Sequence, residues 1–111
     1  MAAKSELYYH VVLTLKRRAK IPQDFAAVLP DSFARSAEIC EAELLETAIA
    51  DDHCHLLLRA QVTTYIPDLI MRIKGRSSRE IPSLTWSSGY FIKTVGRSAL
   101  KTAMEYISKQ K

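Results

Sequence analysis

The chain has 111 residues, enough for one domain with a real core but too few for a separate regulatory module. Its 48% hydrophobic and 25% charged residues exclude a disordered chain, and its longest apolar runs, such as 11–13 and 56–58, are far too short to cross a bilayer. The net charge of +4 hides an asymmetry, since residues 1–52 hold six Lys/Arg against nine Asp/Glu and residues 53–111 hold ten against three; a second half at +7 suits an anionic polymer, and suits solubility as well.

Leu7 to Leu15 is rich in β-branched and aromatic residues and is closed by Lys16-Arg17-Arg18, which predicts a strand with a basic end. From Pro22 to Glu43 the pattern turns helical; Pro30 interrupts it, and Asp31 offers an N-cap for a helix running through Phe33, Ala37 and Cys40. Leu44 to Ala50 predicts a second strand, Asp51-Asp52 a turn and His53 to Ala60 a third strand, together an antiparallel hairpin. Thr63 or Thr64 then caps a helix whose apolar stripe is Ile66, Leu69, Ile70 and Ile73, with Arg72, Lys74, Arg76 and Arg79 outside it. Pro82, Gly89 and the serines around Trp86 mark a loop, Tyr90 to Val95 a fourth strand, and Gly96 to Lys111 a final helix with Leu100, Ala103, Met104 and Ile107 on its apolar side.

The order β-α-β-β-α-β-α predicts a mixed α/β (α+β) domain spanning residues 1–111. Its first six elements match the ferredoxin-like arrangement, an antiparallel sheet with two helices on one face, and the seventh must dock near the open face. Cys40 and Cys54 form no CxxC pair and fall inside predicted elements, so they are expected to be reduced packing residues. Without an apolar leader segment in its N-terminal residues, the protein is expected to be soluble and cytoplasmic.

Strand alternation puts His53, His55, Leu57 and Arg59 on one face and Cys54, Leu56, Leu58 and Ala60 on the other. The apolar set belongs under the helices, which leaves two imidazoles on the open face, about 6 to 7 Å apart at Cα and able to converge on one metal. An isolated H-x-H is at least as well explained as a solvated strand face. On the final helix Tyr106 and Gln110 lie four residues apart and share a face beside Ala99 and Ala103; taken alone, that helix equally fits a tyrosine packing at the edge of the apolar stripe. A tyrosine that attacks a phosphodiester leaves a phosphotyrosine bond that keeps the energy needed to rejoin strands. A metal held by two histidines and an amide oxygen would polarise that phosphate. These parts make a reaction only if the helix crosses the open face.

At this point the sequence resembles the HUH endonucleases, in their single-tyrosine branch of insertion-sequence transposases and REP-associated tyrosine transposases. The resemblance covers nearly the whole chain. It rests on Tyr9-His10-Val11-Val12 followed by Lys16 and Arg18, on Asp52-His53-Cys54-His55-Leu56-Leu57, on Lys74-Gly75-Arg76-Ser77-Ser78, on Trp86-Ser87-Ser88-Gly89-Tyr90-Phe91, on Thr94-Val95-Gly96 and on Tyr106-Ile107-Ser108-Lys109-Gln110. It implies that His53 and His55 are the metal-binding pair, that Tyr106 is the nucleophile and that Gln110 is a third ligand. It further implies cleavage of hairpin-containing single-stranded DNA to a 5'-phosphotyrosine and a free 3'-hydroxyl, a need for Mg²⁺ or Mn²⁺, no nucleotide cofactor, and a homodimer in which one subunit's tyrosine helix completes the other's site. Departures from the family pattern are Asp51 where proline is usual, Cys54 between the histidines, and a short stretch between Arg79 and Trp86.

Lys16, Arg18, Lys74, Arg76, Ser77, Ser78 and Arg79 are the expected DNA contacts, the 74–78 run offering backbone and hydroxyl donors to phosphate. His10 is expected to be structural or DNA-contacting rather than a metal ligand, and Tyr8, Tyr9, Tyr65 and Tyr90 to pack or stack. Trp86 and Phe91 could stack on unpaired bases, with core packing the default for both. Three functions remain open: an active transposase, a domesticated enzyme that nicks and joins repeated hairpins in its host genome, and a non-catalytic single-stranded nucleic-acid binder.

Overall fold

A computed structural model describes residues 6–110; within that range the side chains of Arg18 and Phe25 lie outside the described set. Strands β1 (Glu6–Thr14), β2 (Glu43–Ile49), β3 (His53–Gln61) and β4 (Phe91–Val95) form one antiparallel sheet in the order β2-β3-β1-β4. Helices α1 (Gln23–Ala26), α2 (Leu29–Ile39) and α3 (Ile66–Glu80) follow the first and third strands, and α4 (Leu100–Ser108) follows the fourth. This is the expected ferredoxin-like arrangement with an added C-terminal helix.

Alternation on the central strands sorts side chains into two apolar layers. Val11, Leu13, Cys54, Leu56 and Leu58 face α2 and α3 and pack with Leu29, Phe33, Leu69, Ile70 and Ile73 into the main core. Each such side chain, fully buried, contributes about 1.5–3 kcal/mol. Tyr8, Leu57, Ala48 and Val95 face the other way and close around Ile107 of α4, with Leu45, Leu100, Ala103 and Met104 at the margin. The final helix therefore lies across the face left open by α2 and α3.

Several boundaries differ from expectation for local reasons. Pro30 is accommodated in the first turn of α2 rather than breaking it, where its missing N–H costs nothing, so Asp31 is a first-turn residue and not the N-cap. Its carboxylate instead accepts from Arg35 at 2.7 Å. The chain leaves α2 through Glu41, at φ 58°, and Cys40 caps the helix end. Pro67 likewise opens α3 after Tyr65, and Thr64 accepts a hydrogen bond from the Gln61 amide at 3.1 Å, closing the turn after β3 instead of capping the helix. No helix among the described residues is long and apolar enough to cross a membrane.

Candidate active site

The β2–β3 turn holds the first histidine. Asp51 and Asp52 carbonyls accept from the amides of Ile21 and Leu15, at 2.6 and 3.0 Å, which ties the turn to the segment after β1. The Asp52 carboxylate meets Nδ1 of His53 at 2.8 Å and orients that ring, leaving Nε2 as the nitrogen it can offer to a ligand. Two residues on, His55 is buried, and Thr47 of β2 fixes its backbone by donating to its carbonyl at 2.8 Å. The two imidazoles stand 5.0 Å apart, centroid to centroid, at 74°.

A third imidazole joins them. His10 of β1 lies opposite Leu57, beside the Val12–His55 pair, and its Nε2 is 3.0 Å from Nδ1 of His55. Burial, and then the charge of Lys93 across the β1–β4 pair, push the His10 pKa below its ordinary value. Burial lowers His55 as well, followed by its two histidine neighbours. Both rings are thus biased towards the neutral form, the one that can ligate a metal. The sequence marked His10 as structural or DNA-contacting; the fold makes it the hydrogen-bonding partner of His55, a link 45 residues long that only the β1–β3 register reveals.

Helix α4 brings the phenol. Ile107 is fully buried against the sheet, and its neighbour Tyr106, half exposed, sets its ring edge-on to both His10 and His55 with centroids 6.1 Å away in each case. Within one chain, Tyr106 and the histidines therefore share one site. Gln110 does not reach it: its side chain is exposed, and its amide nitrogen donates back to the Tyr106 carbonyl at 3.5 Å, with no hydrogen bond to either imidazole of the pair. Gly96, which leads into α4, has ordinary extended backbone (φ −66°, ψ 152°), and a Cβ there would meet nothing within 4 Å. This arrangement makes no demand for glycine there.

Among the described residues no group of three His, Cys, Asp or Glu side chains converges on a metal position. A divalent ion at this site would draw on the two neutral imidazoles of His53 and His55, with the remaining positions left to water and phosphate oxygens. That donor set fits an ion whose task is to hold substrate, because it leaves coordination positions open.

The expected DNA contacts fare unevenly. Lys16 is exposed in the 3₁₀ turn after β1; the Arg18 side chain lies outside the described residues. Residues 74–78 lie inside α3, on the sheet face opposite the histidines, and α3 continues to Glu80, so their amides serve the helix rather than an anion. Ser77 is fully buried; its hydroxyl donates to the Ile73 carbonyl at 2.8 Å and accepts from Trp86 Nε1 at 2.9 Å, which corrects its assignment from DNA contact to core framework. Trp86 is correspondingly a core residue, 6.2 Å from the Phe33 ring. Lys74 also has partners within the fold. Its ammonium meets the carbonyls of Ser87, Ser88 and Gly89 at 2.8, 3.4 and 3.0 Å and stands 5.5 Å from the Tyr90 ring, strapping down the loop that leads into β4. Burial lowers its pKa. Arg76 pairs with Glu80 at 3.6 Å, Ser78 is half-buried, and Arg79 is exposed on the outer side of α3.

Comparison with known proteins identifies relatives of the chain. A family model described as "Transposase IS200 like" matches residues 3–110. The ISDra2 transposase TnpA of Deinococcus radiodurans is 29% identical over 118 aligned residues, covering 95% of this chain and 84% of that protein. A crystal structure of a candidate transposase from the same organism superposes with a TM-score of 0.77 at 26% identity, over 99% of this chain and 95% of the other. The fold is shared also with a REP-associated tyrosine transposase solved bound to a REP hairpin, with a TM-score of 0.71 at 12% identity, over 96% of this chain and 67% of that one.

Proposed function

The chain belongs to the family of IS200-like transposases, and from that premise we propose that it is a metal-dependent transposase that nicks and rejoins hairpin-containing single-stranded DNA through Tyr106. The observation that carries this reading is the placement of the Tyr106 ring 6.1 Å from His55 by a helix of the same chain. The Tyr106 oxygen attacks the scissile phosphorus; the bond to the 3'-oxygen breaks, the 3'-oxygen takes up a proton, and the 5' end is left as phosphotyrosine. Attack by a 3'-hydroxyl on that phosphotyrosine releases Tyr106 and reseals the strand.

His53 and His55 would hold Mg²⁺ or Mn²⁺ through their Nε2 atoms, and Gln110 would add its amide oxygen by turning away from the Tyr106 carbonyl. When bound, the ion supplies Lewis-acid polarisation of the scissile phosphate. His55 keeps the right tautomer if its Nδ1–H donates to Nε2 of His10, and Asp52 does the same for His53. Lys16, Arg18, Arg76, Ser78 and Arg79 remain the residues to hold the hairpin, within a C-terminal half of charge +7.

A homodimer belongs to this reading, and the sheet edge supports it. β4 is an edge strand, and pairing two copies about a two-fold axis would cover the β4 edge of each. The test of site assembly is to mix His53→Ala with Tyr106→Phe, each inactive alone. Restored cleavage means that α4 completes the partner's site; no restoration despite subunit exchange means that the site is built within one chain. The reading as a whole is tested with a labelled single-stranded hairpin: cleavage should require Mg²⁺ or Mn²⁺ and vanish in His55→Ala, whereas cleavage that survives chelation removes the metal from the scheme.

A further inference from the structure

Strand alternation gives β4 a second consequence. Phe91, Lys93 and Val95 share the α4 face of the sheet, opposite Val12, His10 and Tyr8 in register. Val95 is buried with Ile107, but α4 does not extend over the start of the strand, and the Phe91 ring is left 58% exposed. Between them lies a cleft of about 570 Å³, walled on the helix side by Ala99, Ala103 and Tyr106 and on the sheet side by Phe91, Lys93 and His10. The small side chains of Ala99 and Ala103 keep it open beside the tyrosine. The volume is that of a small-ligand site.

The chemistry of this cleft is selective. Lys93 is the one Lys, Arg, Asp or Glu among the described residues lining it, so the cleft presents a single cation and no carboxylate. Phe91 offers an aromatic face with no polar group, a surface that favours the flat face of any unpaired base and reads no sequence. Cation, aromatic face and nucleophile therefore occur side by side. We propose that the cleft seats the unpaired nucleotide adjoining the phosphate that Tyr106 attacks, its base stacked on Phe91 and its phosphate held by Lys93. This rests on the proposed reaction at Tyr106. It leaves the β4 backbone edge available to a second copy, because edge pairing uses amides and carbonyls while Phe91 and Lys93 project from the sheet face.

The test compares binding of a fluorescent DNA hairpin carrying a single-stranded flank with binding of the same hairpin without it, using Tyr106→Phe protein so that no strand is cut. Phe91→Leu should reduce the affinity gained from the flank by about tenfold, the stacking of one base, without changing the salt dependence. Lys93→Gln should lower the slope of log K against log salt by about 0.7, one phosphate contact on a single strand. A 5-iodouracil placed in the flank should photocross-link to Phe91. The proposal is overturned if both variants keep the full flank contribution, if the cross-link maps away from β4, or if Phe91→Leu changes only the dimer dissociation constant, which would make Phe91 a contact between copies. Cleavage by the unmodified protein separates the two readings. If it cuts the strand while the flank affinity ignores Phe91 and Lys93, the nucleotide seat alone fails; if the flank affinity depends on them but nothing is cut, the reaction at Tyr106 fails.

Discussion

Ile107→Ala should detach Tyr106 from the histidines without unfolding the sheet. Ile107 is fully buried and is the one buried residue of α4, held between Tyr8, Leu57, Ala48 and Val95. Truncation of such a side chain costs about 2–5 kcal/mol in lost burial and residual cavity. α4 has nine residues, below the length of about 12–15 at which an isolated helix is even marginal in water, so the loss should appear as local undocking. Amide exchange measures it: protection of α4 should fall by about 30-fold or more, at 1.4 kcal/mol per factor of ten, while amides of β1 and β3 keep their rates. Trp86, the only tryptophan, lies in the main core and should report a smaller change in urea midpoint. DNA cleavage should fall with the protection of α4. Unchanged exchange in α4, or an equal loss across β1 and β3, would show that Ile107 is not what docks the helix.

Two further outcomes follow from the site and the core. His10 and His55 have folded pKa values below the unfolded value of 6.5, so the fold favours their neutral forms; the stability they contribute is present above pH 6.5 and is lost as pH falls through their folded values. Urea titrations in metal-free buffer should show this acid loss in the parent and a flatter profile in His10→Asn, and an unaltered profile in the variant would refute it. Ser77→Ala leaves the Trp86 indole N–H without its buried acceptor and should cost about 1–3 kcal/mol in urea unfolding. Hairpin affinity well below the melting temperature should not change, and a specific loss of affinity would return Ser77 to the DNA surface.

Most of the element order is legible in the sequence because it rests on local periodicity. The stripe Ile66, Leu69, Ile70 and Ile73 and the alternation through 53–60 both survive into the fold. What is not legible depends on partners far along the chain. Ser77 and Lys74 resemble the polar side of a helix until Trp86 and the carbonyls of 87–89 are brought against them. His10 becomes the partner of His55 only once β1 and β3 are in register. Asp31 and Thr64 have the right chemistry for caps, but a proline in the first turn sets each helix start elsewhere. Phe91 carries no local sign of exposure, since that depends on how far α4 reaches along β4.

The proposed chemistry stands or falls on one covalent bond. The protein should be incubated with Mg²⁺ and a single-stranded hairpin labelled on the 3' side of the cleavage site, denatured, digested and mapped by mass spectrometry. The account predicts a DNA-linked peptide containing Tyr106, carrying the 5' phosphate of the labelled fragment and absent from Tyr106→Phe. An adduct that persists in Tyr106→Phe, or that maps to another residue in the parent, would contradict it.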